Sequence, residues 1–285
     1  MKLKTNADYL VMQSVMGQVH SPIVRSPFRV DQQGQAQVLP ATGGISYNVK
    51  VGDQCMRWVG DHIEPGVSIK NPDKEENNAL NLFACIGNEA IVKSGDAKGD
   101  KGYVTGKHGG IDHVLIDFPK KTLDKLNIGD QILLKAYGQG LAIRDHDYIV
   151  VMNIDPNLFD KLKLEINSAG KLEFAVVTQI PAHLMGSGLG TATAHSGDYD
   201  IMTGDEKANK KYNIDKLRFG DFVLLQDCDN THGRQYLKGA VSIGVIVHSN
   251  CIKSGHGPGV TVVMSCKKSN IEALFSSDAN IVNLI

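Results

Sequence analysis

The sequence lacks the features that mark several specialised classes of protein. Its five cysteines are widely spaced and include no Cys-x-x-Cys pair, which argues against a disulfide framework and against a thiolate zinc site. Thirty Lys and Arg residues stand against 31 Asp and Glu residues, so no field of one sign attracts nucleic acid. No apolar run approaches the roughly 18 residues of a membrane helix, and none near the N-terminus is long enough for a signal peptide. These absences predict a cytoplasmic protein whose partner is a small-molecule ligand, with no nucleic acid and no membrane involved.

The chain is nevertheless long and apolar enough to form a sizeable core. Its 285 residues are 42% hydrophobic, which suits one large domain or two modest ones. Short β-branched runs bounded by Gly, Asp, Asn or Pro predict strands, and they lie at 90–92, 113–116, 148–152, 174–178, 241–248 and 260–264. The predicted fold is therefore mainly β, with a small β-barrel, parts that are like a β-sandwich, and few short helices. Because such sheets leave edge strands that identical subunits often cover, a homo-oligomer is expected.

One twelve-residue pattern occurs twice. LDKLNIGDQILL at 123–134 and IDKLRFGDFVLL at 214–225 share seven of twelve residues, including a Gly-Asp pair, and VKVGDQ at 49–54 is a weaker third copy. A Gly-Asp turn followed by β-favouring residues is typical of a chain entering a strand. The repeat predicts one local structure used in two halves, with a soft boundary at 145–155 that divides the chain into domains 1–150 and 151–285.

Helix signals are few. Asp155-Pro156 ahead of an apolar stripe predicts a helix with an aspartate cap and a proline in its first turn. Ser269, with Glu272 three residues later, matches a capping box and predicts a short helix near the C-terminus. The polar stretch at 203–213 is interpreted as a solvated loop.

The segment at 94–113, SGDAKGDKGYVTGKHGGIDH, is the strongest indication of a functional site. It contains three aspartates, two histidines, three lysines and six glycines. Glycines let the backbone approach a ligand closely, while Asp, His and Lys bind metals, move protons and hold anions. The candidate catalytic residues in it are Asp96, Lys107, His108 and His113.

A two-residue turn at Gly109-Gly110 would place His108 opposite Ile111, with His113 a diagonal neighbour on the same face. Asp96 would complete a His/His/carboxylate set, Asp96, His108 and His113, suited to a divalent metal as cofactor. The alternative is a polar hairpin whose side chains bond only to turn amides. In either case His108, in a tight turn, is not expected to belong to the packed core.

A second histidine among glycines, His256, lies in SGHGPG at 254–259 and is either an exposed turn residue or a ligand-facing imidazole. Asp61 and His62 form a further acid/base candidate. The pairs Asp198/Asp200 and Asp227/Asp229 match no calcium loop and are interpreted as solvated turns, and His20 and His248 show no pattern. The candidate ligand-binding residues are Asp61, His62, Lys98, Gly109, Gly110, His256 and Gly257.

Four stretches of the chain resemble a bacterial and archaeal family known as domain of unknown function 4438. They are GDHIEPGVSIKNPD at 60–73, KSGDAKGDKGYVTGKHGG at 93–110, and KGAVSIGVIVHS with SGHGPGVTVVM further on. The resemblance covers almost the whole chain and implies a mainly β protein with no agreed activity. The loop 95–97 is also distantly similar to a GDAH-type element of the acetamidase/formamidase enzymes, but Lys98 stands where those enzymes have a histidine.

Two classes of function remain open. In the first, a metal or an Asp/His pair activates water to hydrolyse a small amide-like substrate, with Lys98 or Lys107 stabilising the developing oxyanion. In the second, the same pocket holds a small anionic metabolite without turnover. A measurement of bound metal separates the two.

Overall fold

The computed structural model describes residues 3–24 and 26–285 and confirms a mainly β fold. In chain order the strands are β1 (Gln13–Val19), β2 (Arg29–Val30), β3 (Ala36–Gln37), β4 (Ile45–Ser46), β5 (Gly66–Lys70), β6 (Glu89–Val92), β7 (Lys101–His108), β8 (His113–Asp117), β9 (Gln131–Ala136), β10 (Ile149–Val151), β11 (Glu165–Ile166), β12 (Leu172–Val176), β13 (Thr178–Pro181), β14 (Tyr199–Asp200), β15 (Phe222–Asp229), β16 (Gln235–His248), β17 (Gly259–Cys266) and β18 (Ile271–Phe275). The helices are short: α1 (Lys74–Phe83), α2 (Lys120–Leu123), α3 (Pro156–Lys161) and α4 (Glu206–Lys211).

Six strands of the N-terminal half close into an antiparallel barrel. Their order is β1-β9-β6-β7-β8-β5, and β5 pairs back with β1, while β4 extends the sheet beside β5. Alternate residues of β5 and β9, including Val67, Ile69, Ile132 and Leu134, fill the interior because successive side chains of a strand point to opposite faces. Closure leaves these six strands without a free edge along the barrel.

The C-terminal half is built on an open sheet with core on both faces. Its order is β10-β17-β16-β15-β13, with β14 added beside β17, and only β13 runs parallel to its neighbour. All eight residues of β17 are buried, as expected for a strand covered on both sides. A smaller sheet, β11-β12-β18, packs over one face, where the rings of Phe174 and Phe222 meet with centroids 5.3 Å apart.

The repeated Gly-Asp pattern adopts one local structure, as predicted. Gly129 and Gly220 both have positive φ, 91° and 86°, a conformation that glycine adopts without strain. The following aspartates, Asp130 and Asp221, each accept a hydrogen bond at 2.8 Å from the backbone N–H three residues earlier. Asp53 in the third copy makes the same bond at 3.1 Å. The first two copies lead directly into β9 and β15.

One helix prediction is confirmed and another is wrong. Asp155 caps α3 by accepting a hydrogen bond from the Asn157 N–H, with Pro156 in the first turn. The predicted helix after Ser269 is instead β18, which pairs in parallel with β12, so an available sheet edge decides the structure of these residues. The stretch at 203–213, interpreted as a loop, contains α4.

The barrel and the open sheet meet at the end of β7. The backbone N–H of Lys107 donates to the Thr261 hydroxyl, which donates in turn to the Lys107 carbonyl. A Cβ on Gly106 would lie 2.2 Å from Val247, so β7 can approach β16 this closely only with a glycine there. The predicted domain boundary at 150 falls inside β10 and stays a prediction. In the part of the chain described, no helix has the length and apolarity needed to cross a membrane.

Candidate metal centre

A cavity of about 870 Å³ opens where the barrel meets the open sheet, and four imidazoles gather there, three in its wall and the fully buried His248 behind them. They belong to His62, His108, His248 and His256. His108 ends β7 and His248 ends β16, so two different sheets bring them together. The ring centroids of His108 and His248 are 4.2 Å apart, and those of His62 and His248 are 5.0 Å apart.

In three of these imidazoles, Nδ1 lies within hydrogen-bonding distance of an acceptor oxygen. Nδ1 lies 3.0 Å from Asp61 Oδ1 in His62, 2.6 Å from Glu64 Oε1 in His108 and 2.9 Å from a backbone carbonyl in His248. Because these oxygens accept, Nδ1 carries a hydrogen, and in the neutral ring Nε2 keeps its lone pair. The three side chains each offer a ligand atom within 4.8 Å of the others. Outer acceptors that fix the tautomer in this way are typical of metal-binding histidines.

Two buried carboxylates complete the cluster. Asp198 and Asp200 flank Tyr199 at β14, so both point to one face while the Tyr199 ring packs into the core on the other. Asp198 Oδ1 accepts the Gly109 N–H at 2.7 Å. Asp200 Oδ2 lies 3.0 Å from His256 Nδ1 and Asp200 Oδ1 lies 3.5 Å from His248 Nε2.

Two buried atoms that touch each other inside the cluster lack hydrogen-bond partners in the described part of the chain. His248 Nε2 lies 2.7 Å from Asp198 Oδ2, yet neither buried atom has an aligned hydrogen-bond partner among the described residues. At this distance the two atoms attract each other only when a cation lies with them, either a proton on His248 Nε2, which makes an ion pair, or a metal ion. Buried polar atoms without partners are rare and call for an ion or water. The arrangement therefore fits a metal ion.

Gly259 makes this contact possible. A Cβ at Gly259 would lie 1.9 Å from Asp198 Oδ2 and 2.2 Å from His248 Nε2. Since β14 and β16 both pair with β17 at this point, the two side chains pack directly on the Gly259 backbone. Any larger residue would displace the candidate ligands.

The electrostatics of the cluster favour positive charge. Burial lowers the pKa of His248, but Asp198 and Asp200 outweigh this effect and hold it well above its ordinary value. Burial also lowers the pKa of His62, and Asp200 and Asp61 again raise it overall. A site that stabilises a proton this strongly also stabilises a metal cation.

Glu64 is the centre of an outer hydrogen-bond network. Its carboxylate accepts from His108 Nδ1 at 2.6 Å, from His113 Nδ1 at 3.0 Å, from the Gly43 N–H and from the Ser68 hydroxyl. Burial alone would raise the pKa of Glu64, but His113 and His108 hold it well below its ordinary value. Glu64 therefore stays ionised and orients His108.

Asp61 supports His62 in the same manner. It also contacts Arg29 Nε at 2.7 Å and accepts from the Cys251 thiol at 2.8 Å. His62 has a φ of 53°, a conformation that costs free energy in a residue other than glycine and that clusters at functional sites.

The structure brings together many of the residues predicted from the sequence. The cavity wall includes His62, His108, Gly109, Gly110 and His256, and Asp61 is buried behind His62. His256 faces the cavity and is partly buried, and the Gly257 N–H lies 3.4 Å from Asp200 Oδ2. Its role towards a ligand stays a prediction. His113 lies behind His108 and bonds to His20 Nδ1 at 2.8 Å, so it belongs to the outer network rather than to the ligand set.

The predicted hairpin register is wrong. His108 pairs directly with His113 across a four-residue loop at 109–112, rather than diagonally across a two-residue turn. Asp112 adopts positive φ in this loop. His108 is also buried, with 7% of its surface exposed, contrary to the expectation for a turn residue.

The predicted metal set Asp96, His108 and His113 is not assembled. Asp96 and Lys98 are exposed in the turn that precedes β7, whereas His108 is the last residue of that eight-residue strand. At about 3.3 Å per residue, the length of β7 separates them from the histidines. Neither side chain lines the cavity.

Lys107 also points away from the cavity, because it alternates with His108 along β7. Its ammonium donates to Asn153 Oδ1 at 2.8 Å and to the His195 carbonyl at 2.7 Å. Burial lowers the pKa of Lys107 to about 8. The oxyanion role predicted for Lys98 or Lys107 therefore has no geometric support.

Sequence reasoning missed the carboxylates and one of the imidazoles. Asp198 and Asp200 were interpreted as a solvated turn, although their spacing of two is the spacing that puts side chains on one face of a strand. His248 is a polar residue at the end of a long apolar strand, and a polar residue at such a position indicates a candidate functional site. Glu64 lies in the irregular segment before β5, so no spacing rule indicated it.

Two family models, both described as domains of unknown function, match the chain. The model of the domain of unknown function DUF4438, N-terminal, matches residues 28–160, and that of DUF4438, C-terminal, matches residues 161–285. The crystal structure of TM1086 is 50% identical in sequence, covers 100% of both chains and superposes with a TM-score of 0.96. No curated protein matches the chain. Because the two family models together span residues 28–285, the chain belongs to the DUF4438 family.

Proposed function

We propose that this protein binds a divalent metal ion through His62, His108 and His248, with Asp198 and Asp200 beside them, and hydrolyses a small amide-like substrate. The observation that carries the proposal is that ligand atoms of His62, His108 and His248 lie within 4.8 Å of one another, with each ring oriented by an acceptor on Nδ1. Ligand atoms of Asp198, Asp200 and His248 form a second group of the same kind.

The ligand chemistry favours particular metals. Imidazole nitrogen and carboxylate oxygen suit zinc, manganese or iron, whereas calcium and magnesium prefer oxygen alone. Three histidines with an open position are a frequent catalytic zinc set. The cavity beside the cluster supplies room for water and a substrate.

Asp200 and His256 form a pair that can move a proton. Asp200 Oδ2 lies 3.0 Å from His256 Nδ1, so the carboxylate fixes the hydrogen on Nδ1 and leaves Nε2 as a base. His256 is partly exposed to the cavity. A bound metal would lower the pKa of water, and His256 can accept the proton released and later give it to a leaving amine.

Metal analysis tests the first half of the proposal. Protein purified without chelator or histidine tag is expected to contain about one equivalent of zinc, manganese or iron, and His248→Ala is expected to contain almost none. His146→Ala is the matched control, because His146 bonds to Tyr148 outside the cavity. Metal-free wild-type protein that takes up no ion on titration would contradict the proposal.

Ammonia release from small primary amides, measured with the metal-loaded protein, tests the second half. Loss of turnover in His256→Ala with metal retained is the expected result. If the wild-type protein binds metal but hydrolyses no amide or ester, the alternative of a non-catalytic metabolite-binding protein holds instead.

A further inference from the structure

The wall of the cavity contains a buried cation that is not part of the metal cluster. Arg234 is 4% exposed and lines the cavity together with His256, Asp198 and Asp200. Among residues 3–24 and 26–285, no carboxylate forms an ion pair with its guanidinium, and the charges of Asp198 and Asp200 act on it only at longer range. A buried arginine without an anionic partner is uncommon, because its desolvation is costly unless the charge is compensated.

Arg234 is held firmly in place. Its backbone N–H donates to the Thr191 carbonyl at 2.9 Å and its carbonyl accepts from the Gly190 N–H at 2.8 Å. Nη2 donates to the Ser196 carbonyl at 2.8 Å, and the guanidinium lies 5.3 Å from the centre of the Tyr199 ring. The Nε atom has no acceptor among the described residues, so the guanidinium retains an unused hydrogen-bond donor.

The glycine-rich loop at 186–190 does not offer an alternative anion site. The N–H groups of Gly186, Ser187, Leu189 and Gly190 all donate to backbone carbonyls. The loop instead anchors Arg234 through Gly190. Of the cations that line the cavity, Arg29 is paired with Asp61 and Lys253 is exposed, so among the described residues Arg234 is the buried one without an ion pair.

We propose that Arg234 binds a carboxylate group of the substrate, so that the protein acts on small amides that carry a carboxylate at their other end. The inference rests on the proposed function for the amide, but the arginine contact itself does not involve the metal. Arginine donates two parallel hydrogen bonds to a carboxylate or a phosphate. Asp198 and Asp200 lie near, and their charges disfavour the second negative charge of a phosphate.

Two compounds of nearly equal size test the inference by calorimetric titration. Succinamate carries one amide and one carboxylate, and succinamide carries two amides and no charge. The wild-type protein is expected to bind succinamate roughly 10- to 100-fold more tightly, the range for a hydrogen bond to a charged group. Carbamoylmethylphosphonate, with a phosphonate in place of the carboxylate, is expected to bind more weakly than succinamate, and tighter binding would overturn the choice of carboxylate.

Two substitutions test whether Arg234 causes the preference for succinamate over succinamide. Arg234→Met is expected to bind both compounds equally while keeping its metal content, and Arg234→Lys, the variant to use if the methionine form does not fold, is expected to keep only part of the preference. Arg57→Met is the matched control, because Arg57 also stacks on an aromatic ring, Trp58 at 4.8 Å, but is exposed outside the cavity.

The titrations are made on protein as purified and again after chelation, so the two proposals can fail separately. Absence of metal binding would contradict the proposed function. Equal affinity of the wild-type protein for succinamate and succinamide in both preparations would overturn the inference, as would a preference that Arg234→Met retains.

Discussion

His248 Nε2 and Asp198 Oδ2 lie 2.7 Å apart without an aligned hydrogen bond between them. His248 ends a strand of the open sheet, and Asp198 also holds the backbone N–H of Gly109, in the loop that follows barrel strand β7. A cation at this point would therefore connect the two halves of the molecule, and metal binding is expected to stabilise the whole fold.

Asp198→Asn removes one negative charge while keeping the side-chain volume. An amide oxygen can still accept the Gly109 N–H, so the fold is expected to persist. Zinc affinity is expected to fall by more than about 100-fold, beyond the loss typical of an outer partner. Competition with a chromophoric chelator measures the affinity. Asp229→Asn is the control, because Asp229 is a buried aspartate bonded to Thr231 and Gln235 away from the cavity. This substitution should leave the zinc affinity unchanged.

Glu64→Gln tests the outer network. Glutamine has one acceptor oxygen where Glu64 has two, so it cannot accept from His108, His113, the Gly43 N–H and the Ser68 hydroxyl together. His108 then loses the charged partner that fixes its orientation. Zinc affinity is expected to fall about 10- to 100-fold, and the free energy of unfolding by about 1 to 3 kcal/mol. Chelator competition and urea denaturation provide the two values. Glu89→Gln, at a partly exposed surface pair with Lys101, serves as control, and an equal loss of affinity there would refute the role of Glu64.

Gly259→Ala tests the packing of the ligands on β17. The added methyl group would overlap both Asp198 Oδ2 and His248 Nε2, so stoichiometric metal binding is expected to be lost. Gly109→Ala is the control, because its Cβ would meet no atom closer than 3.5 Å. Elemental analysis of both purified variants gives the comparison. Full metal content in Gly259→Ala would show that the ligands do not depend on this contact.

The raised pKa of Asp117, at the end of β8, predicts that the stability of the protein depends on pH independently of the metal centre. Burial raises the pKa of Asp117 from 3.8 to about 6, so the folded protein disfavours its charge. The wild-type protein therefore loses stability as the pH rises from about 4 to about 6, and the loss persists above that range. Asp117→Asn should be more stable at pH 7, on the order of 2 kcal/mol, and equally stable near pH 4.

Urea denaturation at several pH values between 4 and 7 checks this expectation. Asp124→Asn, at an exposed position paired with Lys120, should show no such difference from the wild-type protein. A stability gain for Asp117→Asn that is the same at pH 4 and pH 7 would mean that ionisation of Asp117 is not its cause.

Local pattern was enough to predict the class of fold. The β-branched runs, the Gly-Asp turns and the Asp155 cap depend on neighbours within a few residues, and each was found where expected. The failures have a common physical cause. The residues after Ser269 carry a helix-cap pattern, but pairing with β12 satisfies their backbone as a strand. The register of His108 against His113 depends on a loop conformation in which Asp112 adopts positive φ.

The sequence by itself determined that the chain forms a mainly β protein with a polar, glycine-rich site containing His108, because composition and alternation are local properties. Only the tertiary structure decided which side chains share that site. His62 and His256 are 194 residues apart yet lie in hydrogen-bonding contact, and Asp198 and His248 meet because β14 and β16 flank the same glycine of β17. Sheet pairing of this kind brings distant segments together, and the spacing of residues along the chain does not predict it.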